Sequence, residues 1–156
     1  MRRIGTKGAI AALGATLVVA SSAWAVTIIG TDGDDQITGS PGNDRIDARA
    51  GNDTVVGLAG NDGIRGGRGD DRISGGPGDD VLRGDSGEDG LGGGEGNDRI
   101  LARDGEADKI LCGPGRDAAV IDTLDVIVDA TRKRPKGSCE RVARRHVRPV
   151  QTPIAD

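Results

Sequence analysis

The chain of 156 residues has almost no aromatic or sulfur-containing side chains: it has one Trp, no Phe, no Tyr, one Met, two Cys and one His. An aromatic core and a Cys-rich metal cluster are therefore excluded. Hydrophobic residues make up only 35% of the chain and are mostly small. Burial of so little apolar area cannot by itself offset the conformational entropy that folding removes. A further source of stability is needed for any ordered fold.

The first 25 residues have the pattern of a secretory signal peptide. A positively charged start at residues 2–7 is followed by an apolar stretch at 9–20 and by an A-x-A cleavage site at 23–25. The apolar stretch is shorter than the roughly 20 residues that cross a bilayer, and no later segment is long enough. We expect a secreted mature chain that begins near Val26, without a transmembrane segment, in a compartment where disulfides persist.

From Gly30 the sequence repeats every nine residues. Eight consecutive units keep one register: GTDGDDQIT, GSPGNDRID, ARAGNDTVV, GLAGNDGIR, GGRGDDRIS, GGPGDDVLR, GDSGEDGLG and GGEGNDRIL. Position four is always Gly, position six is always Asp, and position eight is a branched aliphatic residue from Ile37 to Ile100. A ninth unit has one residue inserted before Asp108, and a tenth restores the spacing at Asp117.

Each position of the unit has a physical interpretation. Gly at positions one and four suits a tight turn that needs a positive φ or a close backbone approach, and Asn or Asp at position five tolerates the left-handed region. Asp at position six presents a carboxylate. Position eight is the only consistently apolar place, so one aliphatic side chain per unit points inward. A three-residue strand is too short to be stable alone, so the units must stack.

Stacking brings the carboxylates of position six close together. If two units make one coil, each Asp lies about 4.8 Å from the Asp two units along, and such a column is repulsive. A hard divalent cation between coils would reverse the sign of the interaction. Carboxylates combined with turn carbonyls are the oxygen donors that Ca²⁺ prefers, whereas Zn²⁺ would need His or Cys, which the repeats lack.

These units resemble the glycine-rich nonapeptide repeats GGxGxDxUx of RTX, or hemolysin-type, calcium-binding proteins. The match is strict over residues 30–101 and loose over 102–120, with Ala48 in place of the first Gly and a variable second position. The resemblance implies an all-β fold, a right-handed parallel β-roll (a β-helix solenoid). In that roll the first six residues of each unit form an ion-binding turn and the last three form a strand.

The resemblance also implies a set of calcium ligands. The carboxylates would come from position six of the eight regular units, which are Asp35, Asp44, Asp53, Asp62, Asp71, Asp80, Asp89 and Asp98. Turn carbonyls would complete the shell, including those of Gly33, Gly42, Gly60, Gly69, Gly78 and Gly96. Pairing each unit with the next but one gives six adjacent pairs and hence up to about six Ca²⁺ ions. In the family such repeats are commonly disordered until calcium binds.

Charge and cysteine both change beyond the repeats. Residues 26–111 carry 19 acidic and 9 basic residues, whereas 112–156 carry 6 acidic and 9 basic residues. The basic residues crowd between 132 and 148, either as a solvated tail or as a surface for an anionic partner, such as a cell-wall polymer, a lipid headgroup or the acidic roll itself. No nucleic acid is expected, because aromatic side chains and DNA-binding motifs are lacking.

Cys112 and Cys139 flank an aliphatic stretch at 118–128 that is typical of a strand. We expect a disulfide that closes a cap over the last coil, with free thiols or intermolecular pairing as the alternative. The predicted organisation is a signal peptide (1–25), a calcium-binding β-roll (26–111), a disulfide-closed cap (112–142) and a basic flexible tail (143–156).

These features predict a secreted calcium-binding protein, not an enzyme, that serves as an extracellular structural or interaction module. The alternatives are an accessory module of a secreted toxin or hydrolase system, or a cell-surface adhesin. The sequence GDSG at 84–87 is similar to the nucleophile loop of trypsin-like proteases, and Arg-Gly-Asp occurs at 68–70 and 83–85. Both matches are in phase with the repeat, and the single His146 follows the serine instead of preceding it, so neither catalysis nor adhesion is predicted from them.

Overall fold

The strands follow directly from the three residues after each Asp of position six. A computed structural model describes residues 16–18, 24–128 and 139–144, and within them the secondary structure is all-β. In a typical unit the residues of positions seven and nine are exposed or half-buried and the aliphatic residue between them is buried. This alternation is the pattern of a strand with one face in a core. Among these residues we find no helix of the length and apolarity needed to cross a membrane.

The strands form two parallel sheets, which we call the odd sheet and the even sheet. The odd sheet contains, in spatial order, β1 (Thr16–Val18), β3 (Gln36–Thr38), β5 (Thr54–Val56), β7 (Arg72–Pro77), β9 (Gly90–Glu95), β11 (Lys109–Leu111) and β13 (Val126–Ile127). The even sheet contains β2 (Thr27–Ile29), β4 (Arg45–Ala50), β6 (Gly63–Arg68), β8 (Val81–Ser86), β10 (Arg99–Ala102), β12 (Ala118–Ile121) and β14 (Arg141–Arg144).

The register shows that one coil contains two nonapeptide units. Ile46 of β4 pairs with Ile64 of β6, and Ile64 pairs in turn with Leu82 of β8, each 18 residues further along. Successive units therefore alternate between the two sheets, and a turn joins each strand to the next. This arrangement confirms the predicted parallel β-roll.

The core between the sheets is a narrow column of aliphatic side chains. Position eight supplies most of it, and each of these residues from Ile37 to Ile110 is at most 3% exposed. Where position one is not Gly, its side chain also enters the core: Ala48, Ala102 and Cys112 are fully buried. The column contains no aromatic side chain. Only aliphatic side chains and the two cysteines therefore fill the space between the sheets, as the composition predicts.

Both sheets continue past residue 111. Strands β12 and β14 extend the even sheet, and β13 extends the odd sheet. The inserted residue of the ninth unit is absorbed in the turn before β11, since Ile110 still pairs with Leu91. Cys112 and Cys139 form the predicted disulfide, with both residues buried in the core. Most of the basic C-terminal stretch, including His146, lies outside the described residues.

At the N-terminal end, β1 pairs with β3 at the edge of the odd sheet. This strand lies inside the segment predicted to be a signal peptide, whose other residues before Trp24 lie outside the described ranges. Strand β2 begins at Thr27, directly after the predicted cleavage site. Removal of the signal peptide stays a prediction.

Candidate metal centre

The Asp residues of position six form two ladders, one along each edge of the roll where the turns lie. One ladder precedes the odd strands and contains Asp35, Asp53, Asp71, Asp89, Asp108 and Asp125; the other precedes the even strands and contains Asp44, Asp62, Asp80, Asp98 and Asp117. Every one of these side chains is buried. Each ladder therefore brings a row of carboxylates together, as the sequence predicts.

The ladders are built by one repeated hydrogen bond. From Asp53 onwards, the Oδ1 atom of each ladder Asp accepts the backbone N–H of the Asp one coil earlier, at 2.7–3.1 Å. This bond fixes the rotation of the carboxylate and leaves Oδ2 to face the turn. Charge-assisted bonds of this kind are among the stronger ones in proteins, and they hold successive turns in register.

The second carboxylate oxygen has no hydrogen-bond partner in most of the turns. This holds for Oδ2 of Asp53, Asp62, Asp71, Asp80, Asp89, Asp98, Asp108 and Asp117, all of which are buried. A buried carboxylate oxygen without a partner is costly, and the cost recurs here in eight turns. Such a row points to a missing positive partner.

In five of these eight turns position one is Gly, which leaves room beside this oxygen; Ala48, Ala102 and Cys112 occupy it in the turns of Asp53, Asp108 and Asp117. A Cβ built on Gly57 would lie 2.6 Å from the carbonyl oxygen of Gly75 and even closer to Oδ2 of Asp62. A Cβ built on Gly75 would likewise lie close to the carbonyl oxygen of Gly93 and to Oδ2 of Asp80. The space a side chain would fill is thus lined by oxygen atoms from two adjacent coils, which is the donor set of a hard cation such as Ca²⁺.

From the third to the eighth unit, the backbone is left-handed at positions two and four. Gly60 and Gly78 at position four have φ of +113° and +143°, as the sequence interpretation allows. Position two is also left-handed, and there Arg49, Leu58 and Asp85 adopt φ of +83°, +83° and +73° without being Gly. The left-handed region that Asn and Asp of position five tolerate is not used there, because those three are the only non-Gly residues with positive φ in the described ranges.

Position five has a different task, which the sequence interpretation missed. The Oδ1 atom of Asn61 accepts the backbone N–H of Asp79 one coil later at 3.0 Å, and Oδ1 of Asp79 accepts that of Asn97 at 2.8 Å. These side chains are exposed, so they form an outer ladder that runs opposite in direction to the buried one. Asn and Asp recur there because both carry an acceptor of the right length.

Burial raises the pKa of the ladder carboxyls from Asp53 to Asp125. It raises the pKa of Asp53, Asp89 and Asp108 to about 7, and that of Asp62, Asp71 and Asp80 to about 6. The backbone hydrogen bond to Oδ1 opposes the shift, and neighbouring carboxylates in the ladder add to it. Ionising the whole row at neutral pH is therefore unfavourable unless a cation neutralises it.

The first turn of each ladder differs from the rest. Oδ2 of Asp35 accepts the backbone N–H of Thr31 at 2.6 Å, and Oδ2 of Asp44 accepts that of Ser40 at 2.5 Å. The hydroxyl groups of Thr31 and Ser40 also donate to these carboxylates. Both carboxylates are thus already hydrogen-bonded within their own turns, unlike those of the later coils.

The ladders reach further towards the C-terminus than the predicted ligands do. Asp108, Asp117 and Asp125 continue them, and Oδ1 of Asp108 accepts the N–H of Asp89 at 2.8 Å. Asp117 keeps the nine-residue spacing within its own unit, so its position alone could have identified it. Asp125 lacks the preceding glycines, and its signal is only the triplet of Asp, one residue and an aliphatic residue.

The described residues contain no group of three or more His, Cys, Asp or Glu side chains placed to hold a metal ion. Each turn instead offers one carboxylate together with backbone carbonyls, as the predicted glycines imply. Carbonyl oxygens of position four face the next coil: that of Gly60 lies near the place where Gly78 would carry a Cβ, and that of Gly78 lies likewise near Gly96. A metal site here depends on the backbone as much as on side chains.

The incidental motifs have structural positions in the repeat. Residues 83–85 lie inside strand β8, with Gly84 buried and Arg83 at 3.9 Å from Asp85. Ser86 ends the same strand and is exposed on the even sheet. These residues therefore belong to the strand pairing of the roll.

Comparison with known families agrees with the geometry. The model of the RTX calcium-binding nonapeptide repeat matches the chain in four copies, over residues 29–64, 57–91, 65–100 and 91–106. Neither a curated protein nor a solved structure matches the chain.

Proposed function

Because this chain belongs to the family of RTX calcium-binding nonapeptide repeats, we propose that Ca²⁺ ions bridging its stacked turns drive the folding of the roll. The observation that carries the proposal is the row of buried Oδ2 atoms without partners. At Asp62, Asp71, Asp80 and Asp98 this oxygen shares the space beside a glycine with a carbonyl oxygen of the neighbouring coil. Calcium would neutralise these carboxylates and give every such oxygen a partner.

We propose that the ions lie between the coils that carry the predicted ligands, up to about six in number. The unpaired oxygens favour Asp53, Asp62, Asp71, Asp80, Asp89 and Asp98 as the main carboxylate ligands, with glycine carbonyls beside them. Asp108 and Asp117 extend the set. Asp35 and Asp44 contribute more weakly at the N-terminal end, because their carboxylates are already hydrogen-bonded.

The protein is a secreted, non-enzymatic module that works outside the cell as a structural or interaction element. The signal-peptide pattern and the Cys112–Cys139 disulfide support this location, because disulfides persist in oxidising compartments. Its basic C-terminal stretch is a candidate contact for an anionic cell-wall polymer.

A calcium titration of the mature chain tests the proposal. Far-UV circular dichroism and light scattering should show a disordered, expanded chain in chelator and a compact β structure in Ca²⁺, with Mg²⁺ at equal concentration as the matched control. Calorimetry should give several ions per chain. Fewer than two bound ions, or full β structure in chelator, would contradict the proposal.

A further inference from the structure

Positive charge is distributed unevenly between the two sheets. Of the 9 basic residues between 26 and 111, only Arg72 and Lys109 lie on the odd sheet. The others lie on the strands of the even sheet or directly after them. The nine-residue repeat does not require this division, because a residue type that merely followed the repeat would appear on both faces.

Six of these arginines line one groove on the outer face of the even sheet. The groove has a volume of about 940 Å³ and is lined by residues from β4, β6, β8, β10, β12 and β14. Its arginines are Arg49, Arg65, Arg68, Arg83, Arg99 and Arg103, and its acidic residues are Asp32, Asp47, Asp85 and Asp104. The groove thus has an excess of positive charge on a segment of the chain that is acidic.

Most of the arginines are not neutralised locally. Asp85 lies between Arg65 and Arg83 and forms an ion pair with each. Among the described residues, no ion pair involves the other four arginines of the groove. The side chains of Arg65 and Arg83 are still 55% and 54% exposed, so their other N–H groups are accessible.

We infer that this groove binds a linear anionic polysaccharide that lies across the strands of the even sheet. The guanidinium group matches planar or tetrahedral oxyanions with paired N–H donors. The arginines lie on β4, β6, β8 and β10 or directly after them. Strands about 4.8 Å apart repeat that charge over three spacings, or roughly 14 Å, which suits an extended polymer better than a single ion. None of the buried carboxylates of the calcium ladders lines the groove.

Other polyanions fit this surface less well. The groove has no aromatic side chain on which bases could stack, so single-stranded nucleic acid lacks its usual platform. Its larger apolar lining residues are only Leu101 and Val120, which is too little to insert into a lipid surface. A hydrophilic anionic chain is therefore the polyanion that fits the charge and the lining of this groove best.

The test compares two triple variants with equal charge, both calcium-loaded and checked by circular dichroism. One is Arg68→Gln/Arg99→Gln/Arg103→Gln, in the groove. The control is Arg45→Gln/Arg72→Gln/Arg116→Gln, which changes three exposed arginines outside it. Binding of dextran sulfate is measured against neutral dextran over a range of salt concentrations. The groove variant should lose about tenfold or more in affinity and reduce the salt slope by about two to three, while the control stays near the parent chain.

Two results would overturn the inference. Equal losses in both variants would show that binding follows net charge or the basic C-terminal stretch. Tighter groove-dependent binding of a single-stranded oligonucleotide or of anionic phospholipid vesicles at the same salt would show a different class of partner. Neither result depends on whether calcium drives folding, because every measurement uses the folded, calcium-loaded chain.

Discussion

The neighbours Asp79 and Asp80 allow the role of the buried ladder to be measured directly. Asp80 is 1% exposed with an unpaired Oδ2, whereas Asp79 is exposed and belongs to the outer ladder. Replacing either by Asn keeps the Oδ1 acceptor and removes one negative charge. The two variants are thus matched in composition and differ only in which ladder loses the charge.

The expected effects of Asp80→Asn have opposite signs with and without calcium. Burial raises the pKa of Asp80 from 3.8 to about 6, so ionising it near pH 7.5 costs at most about 3 kcal/mol, and about 1–2 kcal/mol after screening by solvent. The variant should gain this free energy of unfolding in chelator. In calcium it should lose about 1.4 kcal/mol for each site abolished, for a Kd near 10⁻⁴ M and about 1 mM free Ca²⁺.

Urea unfolding in saturating calcium and β content in chelator between pH 5 and 8 give the two readouts. Asp79→Asn should change both much less, because the charge of Asp79 is the smallest of the causes that raise the pKa of Asp80. Asp80→Ala separates charge from structure: it also removes the acceptor of the Asp62 N–H, which costs about 1–3 kcal/mol in either condition. If Asp80→Asn and Asp79→Asn behave alike in both assays, the buried ladder is not the calcium-responsive element.

Three further predictions concern pH, backbone and disulfide. Six ladder carboxyls have a pKa near 3.9 in the unfolded chain and of about 6–7 in the calcium-free roll, namely Asp53, Asp62, Asp71, Asp80, Asp89 and Asp108. Their protonation therefore stabilises that roll below about pH 4. This stabilisation is lost as the pH rises through about 6–7, and circular dichroism in chelator should show β structure at pH 4 but not at pH 8. Leu58→Gly should raise the free energy of unfolding by about 1 kcal/mol by relieving a φ of +83°, whereas Leu58→Ala should not, as measured by urea unfolding in calcium. Cys112→Ser/Cys139→Ser should lower the free energy of unfolding by about 3 kcal/mol, because the disulfide closes a loop spanning 27 residues. An unchanged free energy of unfolding would show that the last coils do not need the disulfide.

The regular part of the repeat made the fold predictable. Three features recur without a gap: Asp at position six, an aliphatic residue at position eight and Gly at position four. Only a stack of coils gives each of these positions the same surroundings in every unit. The parallel roll and the buried carboxylate rows therefore follow from sequence. The disulfide was predictable for a simpler reason, since Cys112 and Cys139 have no other cysteine to pair with.

Other features were not visible in the repeat. The left-handed backbone at position two is hidden because Arg49, Leu58 and Asp85 occupy it in place of Gly. The outer ladder of position five depends on hydrogen bonds between residues 18 apart, which a single unit does not show. The extension of the buried ladders to Asp108 was missed because the insertion breaks the sequence spacing, whereas the turn absorbs one residue without changing strand pairing.

The sequence period and the structural period differ by a factor of two, and this difference decides where a specific surface can arise. Positions one, four, six and eight are constrained in every unit by stacking, so they look the same on both faces. Positions seven and nine face solvent, and consecutive units place them on opposite sheets. An alignment of all the units mixes the residues of the two faces, so the concentration of arginine on one face is not visible in it. Separating even from odd units shows Arg65 and Arg83 on neighbouring strands β6 and β8, where like charges repel and where Asp85 forms an ion pair with each. The stacking of the coils does not require arginines on one face, so their concentration there supports the binding role that we infer for this face.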